Sequence, residues 1–120
     1  MNWEFEMGDC FFCKIAKKEI ETDLIYENKN IVAFRDINPQ APVHILLIPK
    51  LHFSTLNGLM SDDKYLAGNL IYNAAKLAKA EGIAEQGYRT VFNCNEWGGQ
   101  TVYHIHLHLL GGRKFGWPPG

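Results

Sequence analysis

The chain has 120 residues, of which 47% are hydrophobic and 21% are charged, and its formal net charge is −1. This length and composition predict one folded domain. Without a basic run beyond Lys17-Lys18, bulk electrostatic binding to nucleic acid is not expected. No apolar run approaches the roughly 20 residues that span a membrane, and the acidic start lacks the basic region of a secretory signal. Three cysteines do not form a disulfide framework, so a reducing cytoplasm is expected.

Short elements are predicted in the first half of the chain. Residues 1–8 are interpreted as an N-terminal extension and residues 9–120 as the domain. A short helix is predicted over residues 10–17, and β-prone runs indicate strands over residues 24–27, 31–35 and 43–48. The polar insert Asn28-Lys29-Asn30 predicts a hairpin turn between the first two strands, because Asn tolerates the left-handed conformation.

A long amphipathic helix is predicted over residues 62–81. Ser61 is the expected N-cap, and Gly82 is the expected stop. Apolar side chains recur at helical spacing and form one stripe, namely Leu66, Leu70, Ile71, Ala74, Leu77 and Ala78. Further strands are predicted over residues 89–93 and 103–110. The sum is an α+β domain with a five-stranded antiparallel sheet, one long helix and one short helix.

Three histidines alternate with apolar residues in the last predicted strand. Period 2 places His104, His106 and His108 on one face and leaves the intervening apolar residues for the core. The outer two lie about 13 Å apart along a strand, so all three cannot bind one metal ion. An imidazole-lined site is favoured over an ordinary wet face, because neutral imidazole is a nucleophile and imidazolium stabilises negative charge.

A glycine turn precedes the histidines. Gly98-Gly99, with Gln100 and Thr101, forms either an ordinary turn or a loop whose backbone N–H groups, amide and hydroxyl hold anionic oxygens. Placement directly before the histidine strand favours the second interpretation. No Walker-type loop or Gly-x-Gly-x-x-Gly motif occurs.

Spacing leaves several other residues open. Cys10, Cys13 and His52 supply ligands of a structural zinc set, or the cysteines are two small half-buried residues at a helix start; Cys94 is interpreted as a core residue. His44 is either a buried hydrogen-bonded histidine or a fourth imidazole facing the other three. Asp36 either forms an Asx turn or supplies a carboxylate for sugar hydroxyls.

These motifs together resemble the histidine-triad (HIT) superfamily. The segment His104 to Leu110 matches its His-φ-His-φ-His-φ-φ signature, where φ is apolar. The resemblance extends over residues 9–15, 34–42, 44–50, 98–103 and 111–113, and the C-terminal Trp-Pro-Pro-Gly resembles the Hint-like nucleotide-binding branch. It implies a HIT-like fold, and a homodimer in which one helix and one strand of each subunit meet and two sheets form a ten-stranded sheet.

The resemblance also implies a purine nucleoside phosphoramidase that acts on AMP or GMP linked to an amine. His106 is then the nucleophile, His108 contacts the phosphate oxygens, and His44 completes the group. Thr101 stands where the family often has Ser and retains the hydroxyl. The resemblance places further residues along the base, ribose and α-phosphate of the nucleotide: Asp36, Ile37, Asn93, Gly99 and Gln100. Trp117 is expected to reach the nucleotide site of the partner subunit.

Many family members hold a structural zinc, and the matching positions here are Cys10, Cys13, His52 and His104. No catalytic metal is expected. Three other functions are weighed against the phosphoramidase: a dinucleoside polyphosphate hydrolase of the same superfamily, a nucleotide-binding scaffold protein, and a histidine-rich metal sensor. The Trp-Pro-Pro-Gly tail argues against the first, and the intact nucleophile position argues against pure binding.

Overall fold

The computed structural model describes residues 10–120, so the proposed extension over residues 1–8 lies outside the described residues. Within these residues, two α-helices and five strands alternate irregularly: α1 (Phe11–Ala16), β1 (Leu24–Glu27), β2 (Ile31–Arg35), β3 (Val43–Pro49), α2 (Lys64–Ala80), β4 (Tyr88–Phe92) and β5 (Leu107–Gly111). A single helical turn, α3 (Asn95–Gly98), lies between β4 and β5 in the sequence. The prediction of an α+β fold with one long and one short helix around a five-stranded sheet is confirmed.

All paired strands are antiparallel and the order across the sheet is β1-β2-β3-β5-β4. Each face of the sheet has its own core. Side chains on one face pack against α2, including Ile45, Leu47, Leu107 and Leu109, and those on the other face pack against α1. Because side chains alternate along a strand, the alternation that buries Leu107 and Leu109 under α2 turns His108 toward the opposite face. No helix in residues 10–120 is long and apolar enough to cross a membrane.

The long helix differs from its prediction at its start. Ser61 does not cap it; residues Ser61–Asp63 form a 3₁₀ turn, and the Met60 N–H donates to Asp63 Oδ2 at 2.8 Å. The helix ends at Ala80, and Gly82, the predicted stop, follows two residues later with a φ of +76°. The prediction that Ile71 belongs to the buried stripe is wrong, since its side chain is 51% exposed. The polar residue Asn73 is buried instead, and its side chain donates to the Asn69 carbonyl at 2.8 Å.

The first hairpin turn forms by a different mechanism from the one predicted. No non-glycine residue between β1 and β2 is left-handed. Instead the Asn28 side-chain oxygen accepts the backbone N–H groups of Asn30 and Ile31, at 2.8 and 2.9 Å. This Asx turn uses the short polar side chain rather than its tolerance of positive φ.

The last strand begins later than predicted. Of the predicted span 103–110, only the part from Leu107 onward belongs to β5, so His104 and His106 precede the strand. The physical reason is that the polar groups before Leu107 form hydrogen bonds outside the sheet. The Ile105 N–H donates to the Phe53 carbonyl at 2.7 Å, and the His104 carbonyl accepts from the side chain of His106.

Candidate active site and metal centre

Four side chains from three separate parts of the chain meet at one end of α1. Cys10 caps this helix, its Sγ accepting the Cys13 N–H at 3.3 Å, and His52 and His104 approach from the segments after β3 and before β5. The Nδ1 atom of His104 lies 3.1 Å from Nδ1 of His52, 3.3 Å from Sγ of Cys10 and 3.4 Å from Sγ of Cys13. The structure therefore brings together all four predicted metal ligands.

The spacing of these atoms fits a tetrahedral zinc ion. Zn–N bonds near 2.0–2.1 Å and Zn–S bonds near 2.3 Å place tetrahedral nitrogens about 3.3 Å apart, and a nitrogen about 3.5 Å from a sulfur. The observed separations of 3.1 to 3.4 Å come close to these values. A zinc ion here would neutralise two thiolates and join α1 to the two histidine segments.

Outer hydrogen bonds aim the two ring nitrogens at this centre. The Nε2–H of His104 donates to the Pro49 carbonyl at 2.8 Å, which leaves the lone pair on Nδ1. The Nε2 atom of His52 lies 3.2 Å from the Ser54 hydroxyl. Burial and, after it, the neighbouring Cys10 raise the pKa of the Cys13 thiol to about 12, so a Cys13 thiolate at neutral pH requires a cation beside it.

His106 has one nitrogen held and the other available. Its Nδ1–H donates to the His104 carbonyl at 2.8 Å, so the neutral ring has its lone pair on Nε2. The edge-to-face ring of Phe12, with a centroid 5.2 Å away, packs against it. Burial lowers the pKa of His106 below its usual value, although this backbone bond and the charge of Asp36 oppose the shift. Neutral imidazole in this tautomer is a nucleophile at neutral pH.

His44 and His108 form a hydrogen-bonded pair whose direction the backbone determines. The Gln40 N–H donates to Nδ1 of His44 at 3.0 Å, so a neutral His44 must carry its proton on Nε2. That Nε2 lies 2.9 Å from Nδ1 of His108 and donates to it. The proton of His108 is consequently on its own Nε2, and this N–H is a donor for an anionic oxygen. Burial, and then the charges of His106 and His44, lower the pKa of His108 to about 4.

The same hydrogen bonds argue against a second metal at this pair. Ligand atoms of Asp36, His44 and His108 lie within 4.8 Å of one another, as metal ligands do. However, the Gln40 N–H occupies the lone pair on Nδ1 of His44, and the proton on Nε2 leaves no lone pair for a metal. The Asp36 Oδ2 atom, 3.5 Å from Nε2 of His44, instead compensates any positive charge that the pair takes up.

The predicted base and ribose positions lie beside this pair. Asp36 forms the Asx turn that was one of its two interpretations, because its Oδ1 accepts the Asn38 N–H at 2.8 Å. Its second oxygen remains directed at His44. The next residue, Ile37, is 98% exposed and provides an apolar surface with no partner in residues 10–120. Ile37 is therefore exposed to solvent, while the Asp36 carboxylate lies beside the histidine pair.

The glycine turn requires a correction. The buried Gln100 side chain donates to the carbonyls of Ser54 and Val102, at 2.7 and 3.1 Å, and accepts the Asn95 N–H. The backbone N–H of Gln100 donates to the Asn95 carbonyl, and the backbone N–H of Gly99 donates to the Glu96 carbonyl. The prediction that the Gln100 amide holds anionic oxygens is therefore wrong, because its donors are used within the chain. These bonds close the turn, which ends at Gly99 with a φ of +87°.

Three other residues predicted to bind the nucleotide lie at different distances from the histidine pair. The Thr101 side chain is exposed, and no hydrogen bond to its hydroxyl occurs within residues 10–120. Asn93 lines a cavity together with His44 and His108. Trp117 lies apart from this group, 84% exposed, in a surface depression along β4. The sequence did not predict that Phe12 packs against His106 or that the backbone N–H of Gln40 binds His44. The one signal for Phe12 was its position next to the predicted metal ligand Cys13, and there was none for Gln40.

Comparison with known proteins identifies the family of this chain. The model of the HIT domain family matches residues 17–115. The chain belongs to the HIT domain family. Among curated relatives, the purine nucleoside phosphoramidase of Escherichia coli (strain K12) is 50% identical over 108 residues, which cover 90% of this chain and 91% of the relative. The 14 kDa zinc-binding protein of Zea mays is 50% identical over 111 residues, covering 91% and 86%.

Solved structures of the family have the same fold. The HIT family hydrolase from Legionella pneumophila Philadelphia 1 superposes with a TM-score of 0.91 at 60% identity, covering 93% of this chain and 100% of that one. A histidine triad protein from Clostridium difficile gives a TM-score of 0.87 at 40% identity, covering 90% and 94%. These likenesses support hydrolase activity on nucleotides for this member of the family.

Proposed function

We propose that this protein hydrolyses purine nucleoside phosphoramidates, in which the phosphorus of AMP or GMP is joined to an amine. The observation that carries the proposal is the hydrogen bond from Nδ1 of His106 to the His104 carbonyl, because it leaves a buried neutral Nε2 as nucleophile. The 50% identity to the phosphoramidase of Escherichia coli supports the choice of substrate.

The reaction has two displacement steps at phosphorus. First, Nε2 of His106 forms a bond to phosphorus, and the phosphorus–nitrogen bond breaks with its electron pair on the amine, which takes up a proton from solvent. Then water attacks phosphorus, releases a proton and displaces His106, so the products are the nucleoside monophosphate and the amine. The Nε2–H of His108 and the Thr101 hydroxyl stabilise the phosphate oxygens and the departing group. Asp36 and Ile37 hold the ribose and base, and Asn93 and Gly99 lie along the ribose and α-phosphate.

The proposed active form of the protein is a homodimer with one structural zinc ion in each subunit. β4 is an edge strand, so pairing of two such edges would join two five-stranded sheets into ten strands. The neighbouring helix α2 exposes Tyr65, Ile71 and Tyr72, which such an interface would cover. Trp117 would then reach the partner's site. The zinc is bound by Cys10, Cys13, His52 and His104, and the domain over residues 9–120 acts in the cytoplasm.

The decisive experiment replaces the nucleophile. In His106→Ala we expect kcat/KM for an adenosine phosphoramidate to fall by more than about a thousandfold, with AMP affinity by calorimetry near the wild-type value. Mass spectrometry of acid-quenched wild type should detect an adenylylated His106, and the variant should show none. Near-normal turnover by the variant would overturn the assignment.

The same assay separates the rival functions. Faster cleavage of diadenosine triphosphate than of the phosphoramidate would indicate a dinucleoside polyphosphate hydrolase. Tight AMP binding without turnover of either compound would indicate a nucleotide-binding scaffold. Activity that requires added metal beyond the structural zinc would contradict the mechanism, because none of its steps uses a metal.

A further inference from the structure

A cavity of about 230 Å³ opens beside His108, on the face of the sheet that bears the histidines. Cross-strand pairing builds its base, since Val91 lies opposite His108 and Arg89 lies opposite Leu110. Directly paired residues of antiparallel strands project to the same side. The C-terminal segment supplies the opposite wall through Arg113, Phe115 and Pro119. The cavity thus lies directly beside the His108 side chain.

Two guanidinium groups give this cavity a positive charge. The Cζ atoms of Arg113 and Arg89 lie 4.2 and 5.2 Å from the ring centroid of Phe115. Arg113 donates to the Gln40 carbonyl at 3.0 Å, and Arg89 donates to the Gly116 carbonyl at 2.7 Å. These neutral partners fix both side chains without cancelling their charge.

No acidic side chain lines the cavity. Within residues 10–120, neither Arg89 nor Arg113 has a carboxylate within ion-pair distance. The acidic group closest to the histidine pair is Asp36, which faces His44 and does not line the cavity. The two positive charges therefore remain available to a ligand.

The position and size of the cavity indicate its occupant. In the proposed function the nucleoside lies toward Asp36 and Ile37, so the cavity is left for the group on the other side of phosphorus. Ligand pockets for drug-sized molecules commonly measure about 300–1,000 Å³, and a cavity of about 230 Å³ suits a smaller group. The leaving amine is such a group.

We infer that this cavity is the subsite for the leaving amine, and that Arg89 and Arg113 select amines that carry a carboxylate, as an amino acid does. The inference rests on the proposed function and specifies its substrate class. The guanidinium groups are partly exposed, so solvent screens them, and we expect each to favour the carboxylate by about two- to fivefold in kcat/KM. The arginines bind and orient the leaving group, and the chemistry stays with His106.

The test compares AMP linked to the nitrogen of glycine with AMP linked to the nitrogen of glycinamide, which differ only in the carboxylate. The two amines differ in intrinsic leaving ability, but this difference cancels when the kcat/KM ratio of a variant is divided by that of wild type. Arg113→Gln and Arg89→Gln should each reduce the preference for the glycine compound by about two- to fivefold. Both should retain turnover of the glycinamide compound.

Lys114→Gln is the matched control, because it removes the same charge one residue from Arg113 but does not line this cavity. Its preference should equal that of wild type. An equal fall in Lys114→Gln, or an equal loss for both substrates in the arginine variants, would overturn the inference while leaving the proposed function intact. Faster cleavage of diadenosine triphosphate would assign the positive cavity to a phosphate group instead. If wild type cleaves neither phosphoramidate, the proposed function fails and this inference fails with it.

Discussion

The Nε2 atom of His44 donates to Nδ1 of His108 across 2.9 Å, and the direction of this bond is set by a backbone amide. The Gln40 N–H occupies the only other nitrogen of His44. A main-chain group thus determines which nitrogen of His108 bears a proton, two hydrogen bonds away. This relationship leads to the first prediction.

Replacement of Gln40 by Pro removes that N–H, whereas Gln40→Ala retains it. In Gln40→Pro we expect His44 and His108 to populate both tautomers and kcat/KM to fall by about tenfold or more, because the donor on His108 is no longer fixed. Nitrogen-15 spectra of the histidine rings measure the tautomers directly. Both variants lose the bond from the Gln40 side chain to the Asn38 carbonyl, so Gln40→Ala controls for it. An unchanged tautomer in Gln40→Pro would contradict the prediction.

The metal centre gives a second prediction. Wild type should contain one zinc per chain, and Cys13→Ser should lose it and melt at a temperature lower by about 5 °C or more, because a zinc ion at this site would join three segments of the fold. Cys94→Ser is the control, since Cys94 is a free cysteine outside the cluster. Elemental analysis and thermal unfolding provide the readouts. Full zinc content in Cys13→Ser would refute the ligand set.

A third prediction concerns acid stability. The folded chain keeps His108 neutral down to about pH 4, whereas the unfolded chain protonates it near 6.5. Between these values the unfolded state binds more protons, so this group lowers the free energy of unfolding as the pH falls through the window and has no effect above it. Urea unfolding of wild type and His108→Asn at several pH values tests this. The stability of wild type relative to the variant should decline from pH 6.5 toward 4, and a constant difference would contradict the prediction.

A fourth prediction concerns the contact between β5 and the turn after α2. A Cβ added at Gly111 would meet Ile83, with Cβ at 3.0 Å and Cγ2 at 3.1 Å and with Cδ1 closer still. Gly111→Ala should therefore destabilise the fold by about 1–3 kcal/mol. The second change Ile83→Val removes Cδ1 and should restore part of this loss. Gly116→Ala, with open space around it, should have almost no effect in the same chemical unfolding assay.

Local patterns predicted the elements better than they predicted the hydrogen bonds of the site. The spans of β1 and β2 were predicted correctly, because β-prone runs bounded by turn residues depend on neighbours in sequence. The late start of β5 was not predictable in this way, since it depends on Phe53, about fifty residues earlier in the chain. The same holds for Gln100, whose polarity suggested a ligand contact although its partner Ser54 is equally remote.

The candidate site shows the same division. Alternation correctly placed His106 beside His108, with 4.9 Å between their ring centroids, although His104 and His106 lie before the strand that was predicted to carry them. Their tautomers could not be read from sequence, because they depend on the carbonyls of Pro49 and His104 and on the Gln40 amide. Every residue except proline has the same backbone N–H and C=O groups, so the sequence does not show which of them will face a histidine ring.

His104 serves two centres with two different parts of one residue. Its completely buried imidazole belongs to the cluster with the cysteines, while its carbonyl orients the ring of His106. The orientation of the proposed nucleophile is thereby coupled to the proposed zinc centre, where Cys10 and Cys13 meet His52 and His104. We therefore expect oxidation of a cysteine thiol, or removal of a bound ion, to disturb the orientation of the His106 ring as well as to weaken the fold.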